Sequence, residues 1–273
     1  GRYGIHTQLT FLRFDINGLE FNSRSRHAKR IIEWLSFFYY LIMQQTMHRY
    51  ATIESKFPRE FILLQGTGCR WGRCKFCDYH TDTSSDPYPT NAEVLERVTG
   101  IYGVLDIINS GSALEFDKQT LAHIQEVVRK KSIHTLWFEA HFMYREQLAA
   151  FAQQFAPAQV KFRCGIESFS PTQRQLWNKG IPDWVTAADV ARYFAGICLL
   201  CCTEDDTQER ILTDISTAIE HFEYCSVNVF CNNSTNIKRN DALAAWFSEK
   251  LYATLQQHPK IEVLLNNTDL GVG

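Results

Sequence analysis

From residue 60 onward, short β-branched or aromatic runs alternate with longer stretches whose apolar residues recur every three or four positions. This rhythm predicts consecutive βα units around a parallel sheet. Strands are expected at Phe61–Gln65, Leu105–Asn109, Thr135–Glu139, Val160–Glu167, Gly196–Cys202 and Cys225–Phe230, with Ile261–Leu265 as a seventh. Helices fall between them. Thr90-Asn-Ala-Glu93 reads as a capping box that opens a helix running to Tyr102. Asp117 caps another, with Leu121, Ile124, Val127 and Val128 on one face and Lys130 and Lys131 where cations suit the helix dipole. Thr207 opens a third, and the last spans Asp241–Gln257.

Six βα units are too few for a closed eight-fold barrel. The expected fold class is α/β, a partial (β/α)6 TIM-like barrel of parallel strands with an N-terminal helical extension. Residues 1–55 form that extension and 56–273 the barrel domain with its C-terminal elements. The apolar run Ile31–Met43 contains Glu33 and falls short of the roughly 20 residues of a membrane span. It predicts a buried or partner-facing helix, and no membrane is expected as a partner.

Composition narrows the class. A 273-residue chain with 45% hydrophobic and 21% charged residues is globular. Its net charge of −2 supplies no bulk positive field, so no nucleic-acid partner is expected. Nine cysteines, an odd number in a chain without a recognisable secretory leader, suggest a reducing compartment with thiolates reserved for metal. The expected location is cytoplasmic.

Three of those cysteines are close together. Gln65-Gly-Thr-Gly-Cys69-Arg-Trp-Gly-Arg-Cys74-Lys-Phe-Cys77-Asp-Tyr-His80 follows the first expected strand directly. Gly66, Gly68 and Gly72 let the backbone wrap closely around a compact object. Thiolates at this spacing point to an iron–sulfur cluster or a soft metal ion. His80, three residues beyond Cys77, keeps a Cys3His zinc site as the rival reading. By contrast, Cys198, Cys201 and Cys202 read as packing thiols on one strand, with Cys198 and Cys202 on one face and Cys201 on the other.

A cysteine triplet after the first barrel strand, with the aromatic Phe76 just before its last member, resembles the radical S-adenosylmethionine superfamily. The spacing here is C-x4-C-x2-C where the family usually has C-x3-C-x2-C. Later segments agree in order: Asn109-Ser-Gly-Ser112, Phe138-Glu139-Ala-His141, and Gly165-Ile-Glu167-Ser168 followed by Lys179-Gly180. The resemblance implies a [4Fe–4S] cluster on Cys69, Cys74 and Cys77. It also implies S-adenosylmethionine bound by Phe76, Ser110, Gly111, Ser112, Glu139 and Glu167. Such enzymes cleave the cofactor reductively, and the 5′-deoxyadenosyl radical abstracts hydrogen from substrate. An electron donor such as flavodoxin or ferredoxin is implied as partner. The Cys-Asp78-Tyr79-His80 continuation and the Leu265–Asp269 ending further resemble queuosine-salvage lyases, which free queuine from queuosine or its monophosphate. The substrate is then a small, nucleoside-like molecule, with Asp78, His80, His141, Asn267 and Asp269 as candidates to bind it. No catalytic proton donor is assigned, and a homo-oligomer is compatible with this partition. The alternatives are a radical enzyme acting on another small metabolite, or a zinc-stabilised Cys3His binding module.

Overall fold

The computed structural model describes residues 47–273, apart from the His80 side chain. His48–Gly273 forms one unit of the chain. The expected N-terminal extension up to residue 46, with its apolar helix, lies outside the described residues.

Within that unit one eight-stranded sheet runs in sequence order. Its strands are β1 (Tyr50–Ile53), β2 (Arg59–Leu64), β3 (Val104–Asn109), β4 (Thr135–Glu139), β5 (Gln159–Glu167), β6 (Gly196–Cys201), β7 (Tyr224–Val229) and β8 (Ile261–Leu264). Neighbours from β2 to β8 are all parallel, and β1 is antiparallel to β2. The α/β partial barrel expected from the sequence is therefore present, and β1 is an addition to it.

Asp117 and Thr207 cap their helices as expected, accepting from the Thr120 and Arg210 amides. Two helix boundaries differ. The helix expected from Thr90 to Tyr102 spans Tyr88–Glu96, because Pro87 and the Pro at its second position start it earlier. The last expected helix breaks at Leu251 into Asp241–Lys250 and Tyr252–Gln257.

Strand alternation divides the side chains into two sets. The outward set, including Ile62, Ile107, Phe138, Phe162 and Val227, is buried in one core. Phe138 is central to it, with its ring 5.3–6.5 Å from those of Phe116, Phe151, Phe155 and Phe162. The inward set is charged at its floor. Arg59 Nε donates to Asp106 at 2.9 Å, Arg163 Nη1 donates to the same carboxylate at 2.9 Å, and Tyr224 Oη donates to Glu262 at 2.6 Å. Arg59 also pairs with Glu262 at 2.7 Å. That last contact joins β2 to β8, which are not hydrogen-bonded neighbours. The sheet must therefore curl until its two parallel ends face each other. Lys56 Nζ strengthens the same closure by donating to the His258 and Ile261 carbonyls at 2.9 and 2.6 Å.

Removing one member of a buried ionic network leaves the remaining charges under-compensated. Arg59→Met is expected to cost about 3–5 kcal/mol in urea unfolding. Lys130→Met, which breaks the exposed pair with Glu126, should stay within about 0.5 kcal/mol. Equal midpoints for the two variants would contradict this account.

Candidate active site

With its floor filled, the sheet has room for a ligand only at the carboxyl ends of the strands, where parallel α/β folds place their sites. The cysteine loop occupies this end. It leaves β2 at Gln65, whose amide donates to the Asn91 side chain at 2.7 Å. Asp82 holds the return leg, accepting from Arg49 at 3.0 Å, Gln65 at 3.3 Å and the Ser110 hydroxyl at 3.2 Å.

Glu115 ties the first cysteine to the turn after β3. It accepts from the Arg70 amide at 3.0 Å, the Ser112 amide at 2.8 Å and the Tyr144 hydroxyl at 2.6 Å. A Cβ on Gly66 would come within 3.1 Å of the Ser110 carbonyl, so the loop passes this turn backbone against backbone.

The middle of the loop rests on the turn after β5. Lys75 donates its amide to the Trp177 carbonyl at 2.9 Å. Trp71 Nε1 donates to the Asn178 carbonyl at 2.8 Å, and Asn178 Nδ2 donates to the Arg73 carbonyl at 3.0 Å. Gly180, at φ +72°, lies under the Trp71 ring, which an added Cβ would overlap. Trp177, Leu200 and Phe230 form a small separate core, and Phe76 packs on it with its ring 5.7 Å from that of Trp177. At the end of the loop, Asn233 Nδ2 donates to the Phe76 carbonyl at 2.7 Å.

All three loop cysteines are free, Cys69 exposed and Cys74 and Cys77 partly covered. Burial pushes the Cys77 thiol up to about 11 and raises Cys74 as well. Both are protonated at neutral pH until a metal replaces the proton. Among the described residues, no three His, Cys, Asp or Glu side chains gather closely enough to hold one ion.

Glu167 ends β5 in the left-handed region at φ +65°, where the register shifts between Gly165 and Glu167. Lys179 Nζ donates to its carboxylate at 2.9 Å and lies 5.5 Å from the Phe76 ring centre. Burial would lower the Lys179 pKa, but the Glu167 charge overrides it and raises it. Glu139 lies on the inner face. Burial raises its pKa against the opposing charge of Arg163, whose Nε is 3.7 Å away.

Most of the residues expected to contact substrate are engaged within the protein. Asp78 accepts from the amide and hydroxyl of Ser234 at 3.2 and 3.1 Å. His141 Nδ1 accepts from the Met143 amide at 3.2 Å, leaving Nε2 to donate to the Lys179 carbonyl at 2.8 Å. Its ring stacks on Trp71, centre to centre at 5.9 Å. Asp269 closes its own turn by accepting from the Leu265 and Asn266 amides at 2.7 and 2.9 Å. Asn267 is an exposed residue of that turn, and among the described residues no hydrogen bond or ion pair joins the turn to the cysteine loop. The His80 side chain lies outside the described residues. Sequence reasoning missed Glu115, Asp82 and Lys179 as organisers of the loop. Ser112-x-x-Glu115 is a capping box and was a usable signal for the first.

The chain is similar to the solved structure of a queuine lyase from Clostridium spiroforme bound to SAM and queuine. The two share 35% identity at a TM-score of 0.79, over 84% of this chain and 100% of that one. The chain belongs to the queuine lyase family of radical S-adenosylmethionine enzymes. No protein-family model and no curated protein matches it.

Enzymes of this family carry a [4Fe–4S] cluster and S-adenosylmethionine, and the residues here suit both. Three free thiols are on one pinned loop, and a cluster takes each thiolate on a different iron, so it does not need the single focus that zinc demands. Beside the Ser110–Ser112 turn, Asn109 keeps a buried Oδ1 without a hydrogen-bond partner, an acceptor available to an ammonium or hydroxyl group. The zinc-module alternative is not favoured.

Burial first, and the Lys179 charge second, lower the His141 pKa to about 4. A depressed histidine pKa means that the unfolded chain binds the proton more tightly. The contribution of His141 to stability is therefore complete above its unfolded value of about 6.5 and is lost as pH falls toward 4. Nitrogen NMR should find this ring neutral, protonated on Nε2, at pH 5.5. An imidazolium signal there would contradict the assignment. Gly180→Ala should displace Trp71, changing its fluorescence and lowering the iron taken up on reconstitution. Wild-type values for both would show that the contact is dispensable.

Proposed function

We propose that this chain is a queuosine-salvage lyase that releases queuine from queuosine or its monophosphate. The observation that carries the reading is the 35% identity extending over the whole length of the queuine lyase structure. Cys69, Cys74 and Cys77 hold the [4Fe–4S] cluster in this reading. When bound, the cluster and S-adenosylmethionine together supply a radical able to remove hydrogen from an unactivated ribose carbon. Asn109 and the Ser110–Ser112 turn receive the polar end of the cofactor. The Glu167–Lys179 pair, seated against Phe76, provides a fixed positive and negative charge beside Cys74 and Cys77.

Leu63, Ile108 and Leu264 share the inner face with Glu139, and each is part-covered. They give the mouth apolar walls that exclude water and stray hydrogen donors. The substrate is a small molecule. Among the described residues no helix is long and apolar enough to cross a membrane. The electron comes from a reduced carrier such as flavodoxin or ferredoxin. Exposed Arg70, Arg73 and Lys75 around exposed Cys69 offer an acidic carrier a complementary face.

Anaerobic reconstitution should give a brown protein with about four irons that converts queuosine to queuine only when S-adenosylmethionine and reductant are both present. Cys69→Ala, Cys74→Ala and Cys77→Ala should each lose the cluster. Cys201→Ser, a buried thiol, should keep its full iron. Unchanged queuosine beside rapid cofactor cleavage would point to another substrate, and full iron in any of the three alanine variants would remove that cysteine from the ligand set.

A further inference from the structure

A guanine-like base presents a ring N–H next to an exocyclic amine, so its reader needs two acceptor atoms in one plane. A carboxylate supplies them, provided nothing else in the protein uses it. The inner face of the sheet carries four: Asp106, Glu139, Glu167 and Glu262. Three are engaged. Asp106 is held by Arg59 and Arg163, Glu262 by Arg59 and Tyr224, and Glu167 by Lys179. Among the described residues, Glu139 is met by Arg163 Nε at 3.7 Å and the weak Cys198 thiol donor at 4.0 Å.

Small residues on the next strands surround it. Cys198 is on β6, so the Glu139 carboxylate reaches across β5, and it does so over Gly165. A Cβ on Gly165 would lie 2.8 Å from Glu167 Oε1, 3.2 Å from Lys179 Nζ and 3.4 Å from Glu139 Oε1. The bare backbone there lets these three charged groups converge at the mouth. Cys198 pairs in register with Ser226 on β7, and the Ser226 hydroxyl accepts from Asn228 Nδ2 at 3.5 Å. Asn228 keeps a buried Oδ1 with no partner. A weakly engaged carboxylate and an amide oxygen without a partner thus lie on either side of a strip of small side chains, above the charged floor.

We infer that Glu139 reads the paired N–H edge of the deazaguanine base and that Asn228 accepts a further N–H from the same ligand. The inference rests on the lyase reading and deepens it. It moves base recognition from the loop residues Asp78, His141 and Asp269, each of which accepts hydrogen bonds within the protein, to the inner face of the sheet, and takes Glu139 out of the expected cofactor set.

The test is equilibrium binding of free queuine to cluster-loaded enzyme with S-adenosylmethionine, beside an analogue lacking the exocyclic amine. Glu139→Gln should weaken queuine by about tenfold to a hundredfold and the analogue by less than about threefold. Its KM for queuosine should rise while iron content and S-adenosylmethionine affinity hold. Asn228→Ala, which leaves the ionic floor intact, should weaken both bases by about fivefold. Unchanged queuine affinity in Glu139→Gln would overturn the inference. So would a loss seen with queuosine but not with the free base, which would assign the carboxylate to the sugar. Loss of S-adenosylmethionine affinity instead would assign it to the cofactor. Should the wild-type enzyme leave queuosine intact, the lyase reading itself fails; if it releases queuine while Glu139→Gln binds the base normally, only this inference does.

Discussion

The structure depends on a set of charges that have no access to bulk water. Arg59, Asp106, Arg163 and Glu262 are all buried on the inner face of the sheet, and each would cost several kcal/mol there without a partner. They satisfy one another only if β2 and β8 come close enough for one guanidinium to bridge Asp106 and Glu262. Curvature is thus the condition under which these charges are tolerable. Burial alone would lower the Arg163 pKa, yet the Asp106 carboxylate holds it well above its ordinary range, so the cation persists. The same residues fill the floor and leave the carboxyl ends of the strands as the open end. Arg163 faces Asp106 on one side and Glu139 on the other, which couples the closure of the sheet to the charge of the mouth.

Above this floor the cysteine loop gains its shape from three separate anchors. Glu115 and Asp82 fix it to the turn after β3, the Trp177–Gly180 segment supports its middle, and Asn233 and Ser234 hold its far end. Each anchor comes from a different βα connection, so the loop is placed by the barrel as a whole. Trp71 shows the economy of the arrangement. One indole stacks on His141, covers Gly180 and donates to Asn178, which fixes the loop over an imidazole whose tautomer is set by the Met143 amide and the Lys179 carbonyl.

Much of the fold was legible because βα units are encoded locally. Every expected strand is present within two residues of its expected ends, and Asp117 and Thr207 cap where their side-chain chemistry says they should. The strand Tyr50–Ile53 was not legible. It is short and antiparallel, and it earns its place by pairing with β2 and not by its own pattern. The faces assigned to Cys201 and Cys202 also needed revision: Cys202 leaves the strand at φ +67°, which brings its Sγ within 3.8 Å of that of Cys201. For the site, residue type does not reveal hydrogen-bond partners. Asp78, His141 and Asp269 accept from amides that neighbouring loops and turns bring near, which one sequence does not show. Glu139 looked ambiguous because its setting is defined by what surrounds it across three strands.

The most direct measurement of the central claim uses queuosine deuterated on its ribose carbons, turned over anaerobically by the reconstituted enzyme. A radical lyase predicts queuine release with deuterium appearing at the 5′ carbon of the adenosyl group, in 5′-deoxyadenosine or in recovered S-adenosylmethionine. Queuine release that proceeds without S-adenosylmethionine, or with no deuterium reaching the adenosyl carbon, would contradict it.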